Sequence, residues 1–200
     1  MTDTGTGSYS LVAVHEAGHA VAAYLHSVPL AYVNTTGTSD SGGIVTYQGR
    51  NGCAECEPIA WAIIALAGSE AAELYSDDPP EASESAEDKR LLRWNIGQIA
   101  HSQREARALE AWLRVHTREL VTTRRFLCLL DALVPELLKH GDLDGDTATG
   151  ILERAEREFD FEEGGGSRFL GADPADTAPL AREETSDSVE LFVSSSRARP

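Results

Sequence analysis

The segment His15-Glu16-Ala17-Gly18-His19 fits the pattern H-E-x-x-H. Residues four apart on a helix project from one face, a turn apart, so the two imidazoles can reach a single metal ion. Glu16 is rotated by about 100° from His15, near enough to address a water at that ion without being a ligand. The chemistry implied is hydrolysis: the metal acidifies a water, and Glu16 accepts its proton and later delivers it to the leaving amine. Histidines on a solvated helix face are the competing explanation. Here Leu11, Val14, Ala17, Val21 and Leu25 surround the motif, and uncompensated His and Glu would be costly to bury among them, which favours metal ligation. A catalytic zinc ion takes three protein ligands and keeps a fourth position for water. The third ligand must come from elsewhere, and the candidates are Asp88, Glu70, Glu73, Asp77, His26, His101, His116 and His140. Glu73 and Asp77 form an E-x-x-x-D pair at a helix end, but spacing alone does not choose among these residues.

The elements that must hold these groups are mostly helical. Apolar residues recur at helical spacing from Ser10 to about His26, with Ser8 or Ser10 as a cap and Pro29 closing the helical region. Residues 31–36 and 43–47 are β-branched and aromatic around a turn-rich 37–42, which predicts a small β-hairpin. Pro58 opens a second, largely buried helix to about Tyr75. After an acidic loop over 76–85, helices are expected over 86–100, 102–122 and 123–139, the last disturbed by Pro135, and a short one over 146–158. The expected organisation is an N-terminal tail (1–9), one domain (10–159) and a disordered acidic tail (160–200) in which glycine and polar residues dominate.

Composition narrows the partners. The net charge of −16, from 33 acidic and 17 basic side chains, repels phosphate backbones and anionic lipid, so nucleic acid is not an expected partner. The longest apolar run, around Ile59 to Ala67, is about half the length of a spanning helix, so no membrane insertion is expected. Met1 to Ser10 lacks the basic and apolar regions of a signal peptide, which makes a cytoplasmic location the expectation. Three cysteines, an odd and small number, argue against a disulfide scaffold.

Four blocks, in order along the chain from about Ser10 to Glu153, resemble the peptidase domain of FtsH-type proteases, the ATP-dependent AAA proteases of bacteria and organelles. His15-Glu16-Ala17-Gly18-His19-Ala20 is similar to that family's zinc helix. Ala67-Gly68-Ser69-Glu70-Ala71-Ala72-Glu73-Leu74 resembles its Gly-Gly-Arg-Ala-Ala-Glu-Glu segment, with Ser69 in place of the arginine. Ser85-Ala86-Glu87-Asp88 resembles the segment whose aspartate completes the zinc site, and Leu137-Leu138 through Leu143-Asp144-Gly145-Asp146 to Ile151-Leu152 resembles the domain's end. The resemblance implies a helical zinc metalloprotease domain with a short β element at the active site. It also implies one Zn2+ per chain on His15, His19 and Asp88, and Glu16 as catalytic base. Glu73 becomes the runner-up third ligand, otherwise packing a helix or steadying a ligand.

The implied activity is a metalloendopeptidase acting on peptides or unfolded protein segments. The strand edge near Ile44 to Tyr47 is either a docking edge for an extended substrate or part of a structural hairpin that only covers the helix. The family's ATPase module carries a G-x-x-x-x-G-K-[ST] loop that does not occur in these 200 residues. A peptidase working without its own ATPase, or beside a separate ATPase partner, is therefore expected. A regulatory or binding module that retains zinc is the alternative, and an intact Glu16 speaks against it. The family assembles as a ring, so a homo-oligomer is also compatible with the resemblance, against the repulsion of −16 charges per copy.

Other features carry less. Cys53 and Cys56 supply half of a structural zinc site with no second pair at matching spacing. Cys128, Trp61, Trp94 and Trp112 fall on helices and read as core or helix-contact residues. Asp142-Leu143-Asp144-Gly145-Asp146 lacks the order of a calcium loop and reads as a helix-capping turn. Arg104, Arg107, Arg114, Arg118, Arg124 and Arg125 are expected to pair with the acid excess.

Overall fold

The computed structural model describes residues 11–36, 43–48, 58–75 and 84–165. The chain is mainly helical with a small sheet: α1 (Leu11–Leu25), β1 (Leu30–Asn34), β2 (Ile44–Tyr47), α2 (Pro58–Glu73), α3 (Ala86–Ile99), α4 (Gln103–Val121), α5 (Arg124–His140), β3 (Asp142–Asp144) and α6 (Gly145–Gly165). No helix among the described residues is long and apolar enough to cross a membrane.

Helix α1 lies at the centre, and every residue from Ala13 to Ala23 is buried. Its alanines and valines let neighbouring elements approach on all sides, which is why its sequence shows no polar face. Helix α2 is apolar all round for a related reason: it separates two cores. Ile64, Ala67 and Ala71 join α1, β1, α5 and α6 in the larger one, which Phe126, Leu129, Leu130, Leu133, Val134 and Leu137 of α5 dominate. Ala62, Ile63, Ala65 and Leu66 face the other way, onto Leu92 and Ile96 of α3 and Leu113 of α4. Burying each such leucine or phenylalanine contributes about 1.5–3 kcal/mol, so α5, with one apolar stripe, has ample reason to stay helical through Pro135. Pro135 is exposed, on the face away from the core, where water can satisfy the carbonyl it leaves without a partner.

The hairpin expected from the sequence is present, with Val33 opposite Val45 and Asn34 opposite Ile44. A third strand was not anticipated. Leu143 pairs antiparallel with Val33 and Asp142 with Asn34, giving the order β2-β1-β3. The capping-turn reading of this segment applies one residue further on: the Asp144 carboxylate accepts from the Thr147 backbone N–H (2.9 Å) and hydroxyl (2.8 Å), which caps α6. Alternation of only three residues around one apolar leucine is too short to announce a strand. Helix α6 also runs past Glu158 to Gly165.

Trp61 packs edge-to-face on Tyr47 with ring centroids 5.0 Å apart. Trp94 and Trp112, expected as core or helix-contact residues, are exposed on α3 and α4, at 68% and 51%. Their helices bury opposite faces, so helical location did not imply burial. Cys128 is half-buried on α5. Cys53, Cys56, Asp77, Ser8, Ser10 and the tail from residue 166 lie outside the described residues.

Candidate metal centre

Helix α1 presents His15 and His19 on one face, one turn apart, with their Nε2 atoms separated by 3.0 Å. The ring orientation of His19 is fixed from behind: its Nδ1 lies 2.7 Å from the carbonyl oxygen of Ile64 on α2, to which it donates. That bond leaves Nε2 as the atom offered to the site, the usual arrangement for a metal-ligating imidazole. Space for the ring comes from Gly68, where a Cβ would stand 2.4 Å from His19 Nε2. Replacing Gly68 by alanine is therefore expected to displace the imidazole, at a cost of about 1–3 kcal/mol in stability. A fall in melting temperature together with weaker metal binding would register it.

Asp88 arrives from α3. Ser85 is the N-cap of that helix, and Asp88 sits at the third helical position in a reciprocal capping box. The Asp88 N–H donates to Ser85 Oγ (3.1 Å), and Asp88 Oδ2 accepts from the Ser85 N–H (3.1 Å) and hydroxyl (2.7 Å). Asp88 Oδ2 then lies 3.3 Å from His15 Nε2, and Asp88 Oδ1 lies 3.4 Å from His19 Nε2.

The three groups form the cluster among the described residues able to hold a metal ion, each offering one ligand atom. His15 Nε2 and His19 Nε2 stand 3.0 Å apart, and a different oxygen of Asp88 faces each of them; the imidazole pair is close to the tetrahedral edge of about 3.3 Å for ligands at 2.0–2.1 Å from zinc. Two imidazoles and a carboxylate also form the donor set of an open, three-ligand site, so the residues fit the group.

The electrostatics favour a cation at this point. Burial opposes charge on His19, but the Asp88 carboxylate, aided by Glu16, overcomes it and raises the imidazole to about 9. Burial likewise opposes charge on Asp88, and the two imidazoles outweigh it, holding the carboxyl well below its usual range. His15 moves the other way, lowered chiefly by burial. One proton-bearing and one neutral imidazole at 3.0 Å are consistent with that division.

Glu16 is buried beside this cluster. Its carboxyl is raised to about 7, by burial first, with His19 opposing and Asp88 adding. The side chain lies against Gly43 at the head of β2, where a Cβ would come within 2.4 Å of Glu16 Oε1. A buried carboxyl titrating near neutrality, next to a metal-ligand set, has the character of a general base.

The other candidate ligands among the described residues lie elsewhere. Arg118 of α4 donates to Glu70 (3.0 Å) and also pairs with Glu73, which ties α2 to α4. His26 is half-buried near the end of α1, His116 stacks on Trp112, His140 pairs with Glu136, and His101 is exposed. Ile64, Gly68 and Gly43 were not singled out from sequence, since a backbone carbonyl and two missing side chains leave no chemical signature. Arg114 was expected to pair with an acid, but its pairing with Glu84 was not legible because the two lie 30 positions apart. Compared with known proteins, the chain matches no family model and no curated sequence.

Proposed function

We propose that this protein is a zinc-dependent metalloendopeptidase of FtsH-peptidase type, with one Zn2+ held by His15, His19 and Asp88 and with Glu16 as general base. The observation that carries the reading is the convergence of two imidazole nitrogens 3.0 Å apart and a carboxylate with one oxygen within 3.3–3.4 Å of each, beside a buried carboxyl, Glu16, outside that set. A bound zinc ion supplies Lewis-acid polarisation of a peptide carbonyl and lowers the pKa of a water. Glu16 accepts the proton of the attacking water and returns it to the departing amine nitrogen as the C–N bond breaks.

Substrate orientation comes from the sheet. Strand β2 lies at one edge of the order β2-β1-β3, its neighbour Gly43 touches Glu16, and Ile44 is 51% exposed. An extended peptide pairing with Ile44 to Thr46 would run beside the general base, with backbone hydrogen bonds giving affinity for unfolded segments of varied sequence. The reading places the peptidase in the cytoplasm, acting on exposed or unfolded chain.

The test is incubation of the purified protein with casein, after chelation and after return of one equivalent of zinc. Cleavage that chelation stops and zinc restores is expected. Stoichiometric zinc binding with no cleavage of casein would instead support a zinc-holding binding module.

A further inference from the structure

Asp88 is well fixed to its own helix by the capping box, but nothing in that box decides where the start of α3 sits relative to α1. Hydrophobic packing does not decide it either. The buried residues of α3 are Leu92, Asn95 and Ile96, all at least one turn beyond Asp88. Across residues 84–91 the one buried residue is Glu84, directly before the N-cap, and it is a carboxylate. Its side chain is 2% exposed and accepts from Arg114 of α4 at 2.5 Å. Arg114 reaches Glu110, one turn earlier on its own helix, at 3.1 Å, which steadies the guanidinium from the second side. Besides the contacts of Asp88 itself with His15 and His19, the tie at the ligand-bearing end of α3 is thus an ion pair to α4.

We infer that Arg114, acting through Glu84, is the positioning residue for the third metal ligand, given the metal-binding reading of His15, His19 and Asp88. The physical reason lies in what the pair does when broken. A buried carboxylate that loses its cation is strongly disfavoured where it stands and gains by moving into water. Glu84 is covalently one residue from Ser85, whose N–H and hydroxyl hold Asp88 Oδ2. Any outward movement of Glu84 draws the cap with it, and the cap draws the carboxylate away from the two imidazoles. Arg114 touches no ligand atom and acts only through this chain of contacts.

The mechanism distinguishes itself from a simple loss of stability. Arg114→Met leaves Glu84 charged and pulled toward water, so zinc affinity is expected to fall about 10–100-fold, the range seen when partners that orient metal ligands are removed. Arg114→Met combined with Glu84→Met removes the pull along with the cation, and most of the lost affinity is expected to return. Arg114→Lys, which keeps a charge but not the two-sided reach, is expected to fall between wild type and Arg114→Met. If Arg114→Met does not fold, the lysine and double variants carry the comparison.

The experiment measures zinc affinity of the full chain by competition with a chromophoric chelator, with melting temperatures recorded with and without zinc. Arg90→Met serves as control, since Arg90 pairs with Glu87 on the exposed face of the same helix. A positioning role shrinks the zinc-induced rise in melting temperature. A merely structural role lowers both melting temperatures in parallel, leaves the zinc affinity of the folded protein unchanged, and makes the double variant no better than the single one. Those three results together overturn the assignment of Arg114. Wild-type protein that binds no zinc would overturn the metal site itself, whereas tight wild-type binding lost in Asp88→Ala but kept in Arg114→Met would overturn the positioning role alone.

Discussion

Replacing Glu16 by glutamine is expected to remove peptide hydrolysis while leaving zinc binding and the fold in place. The amide has nearly the carboxylate's shape, so it fills the same space against Gly43, where the clearance is too small for even a methyl group. It cannot accept a proton from water, and general acid–base catalysis contributes about 10²–10⁴-fold in rate. Loss of that order in kcat/KM on a fluorogenic peptide, with metal content unchanged, is the expected result. Stability should hold or rise, because burial already disfavours the charged form of Glu16 and pushes its carboxyl up to about 7. A neutral side chain escapes that penalty. Glu16→Gln protein that cleaves at the wild-type rate would remove Glu16 from the mechanism.

Much of this arrangement was legible because it is local. H-E-x-x-H states its own geometry once the segment is helical, and the amphipathic pattern of Phe126, Leu129, Leu130, Leu133, Val134 and Leu137 states the inward face of α5 in the same way. Ser85 and Asp88 are three apart and open a helix, so their capping box was also readable in principle. Distance along the chain is what hid the rest. The contacts between Ile64 and His19, Arg114 and Glu84, and Arg118 and Glu70 each join residues at least 30 positions apart. Single-residue chemistry offers several equally good partners for each. The arginines of α4 were expected to pair with acids. Arg114 and Arg118 do so, but the charge pattern could not say that their partners would be the carboxylate next to the N-cap of α3 and two glutamates of α2. β3 and the exposure of Trp94 and Trp112 escaped for the complementary reason: each depends on which surface a neighbour covers, and that is a tertiary property.

The choice of third ligand is where residue spacing left several candidates and the family resemblance put Asp88 before Glu73, and paired substitutions separate these two sharply. Asp88→Ala should weaken zinc binding by more than the roughly 10–100-fold typical of losing a partner that only orients a ligand, since it removes one of three donors. Glu73→Ala should leave the affinity close to wild type, because its carboxylate is engaged by Arg118 and lies outside the His15, His19 and Asp88 cluster. Part of any Asp88→Ala effect could come from the lost capping box, which is worth about 1 kcal/mol. Ser85→Ala isolates that contribution, because it removes the cap while keeping the ligand. If the site works as its geometry indicates, Ser85→Ala lowers stability by about that amount and costs zinc affinity far less than Asp88→Ala does. Equal losses in the two variants would mean that Asp88 matters as a helix cap and not as a ligand. Loss on Glu73→Ala with Asp88→Ala unaffected would transfer the third position to the other carboxylate, and with it the claim that α3 has to be held in place at all.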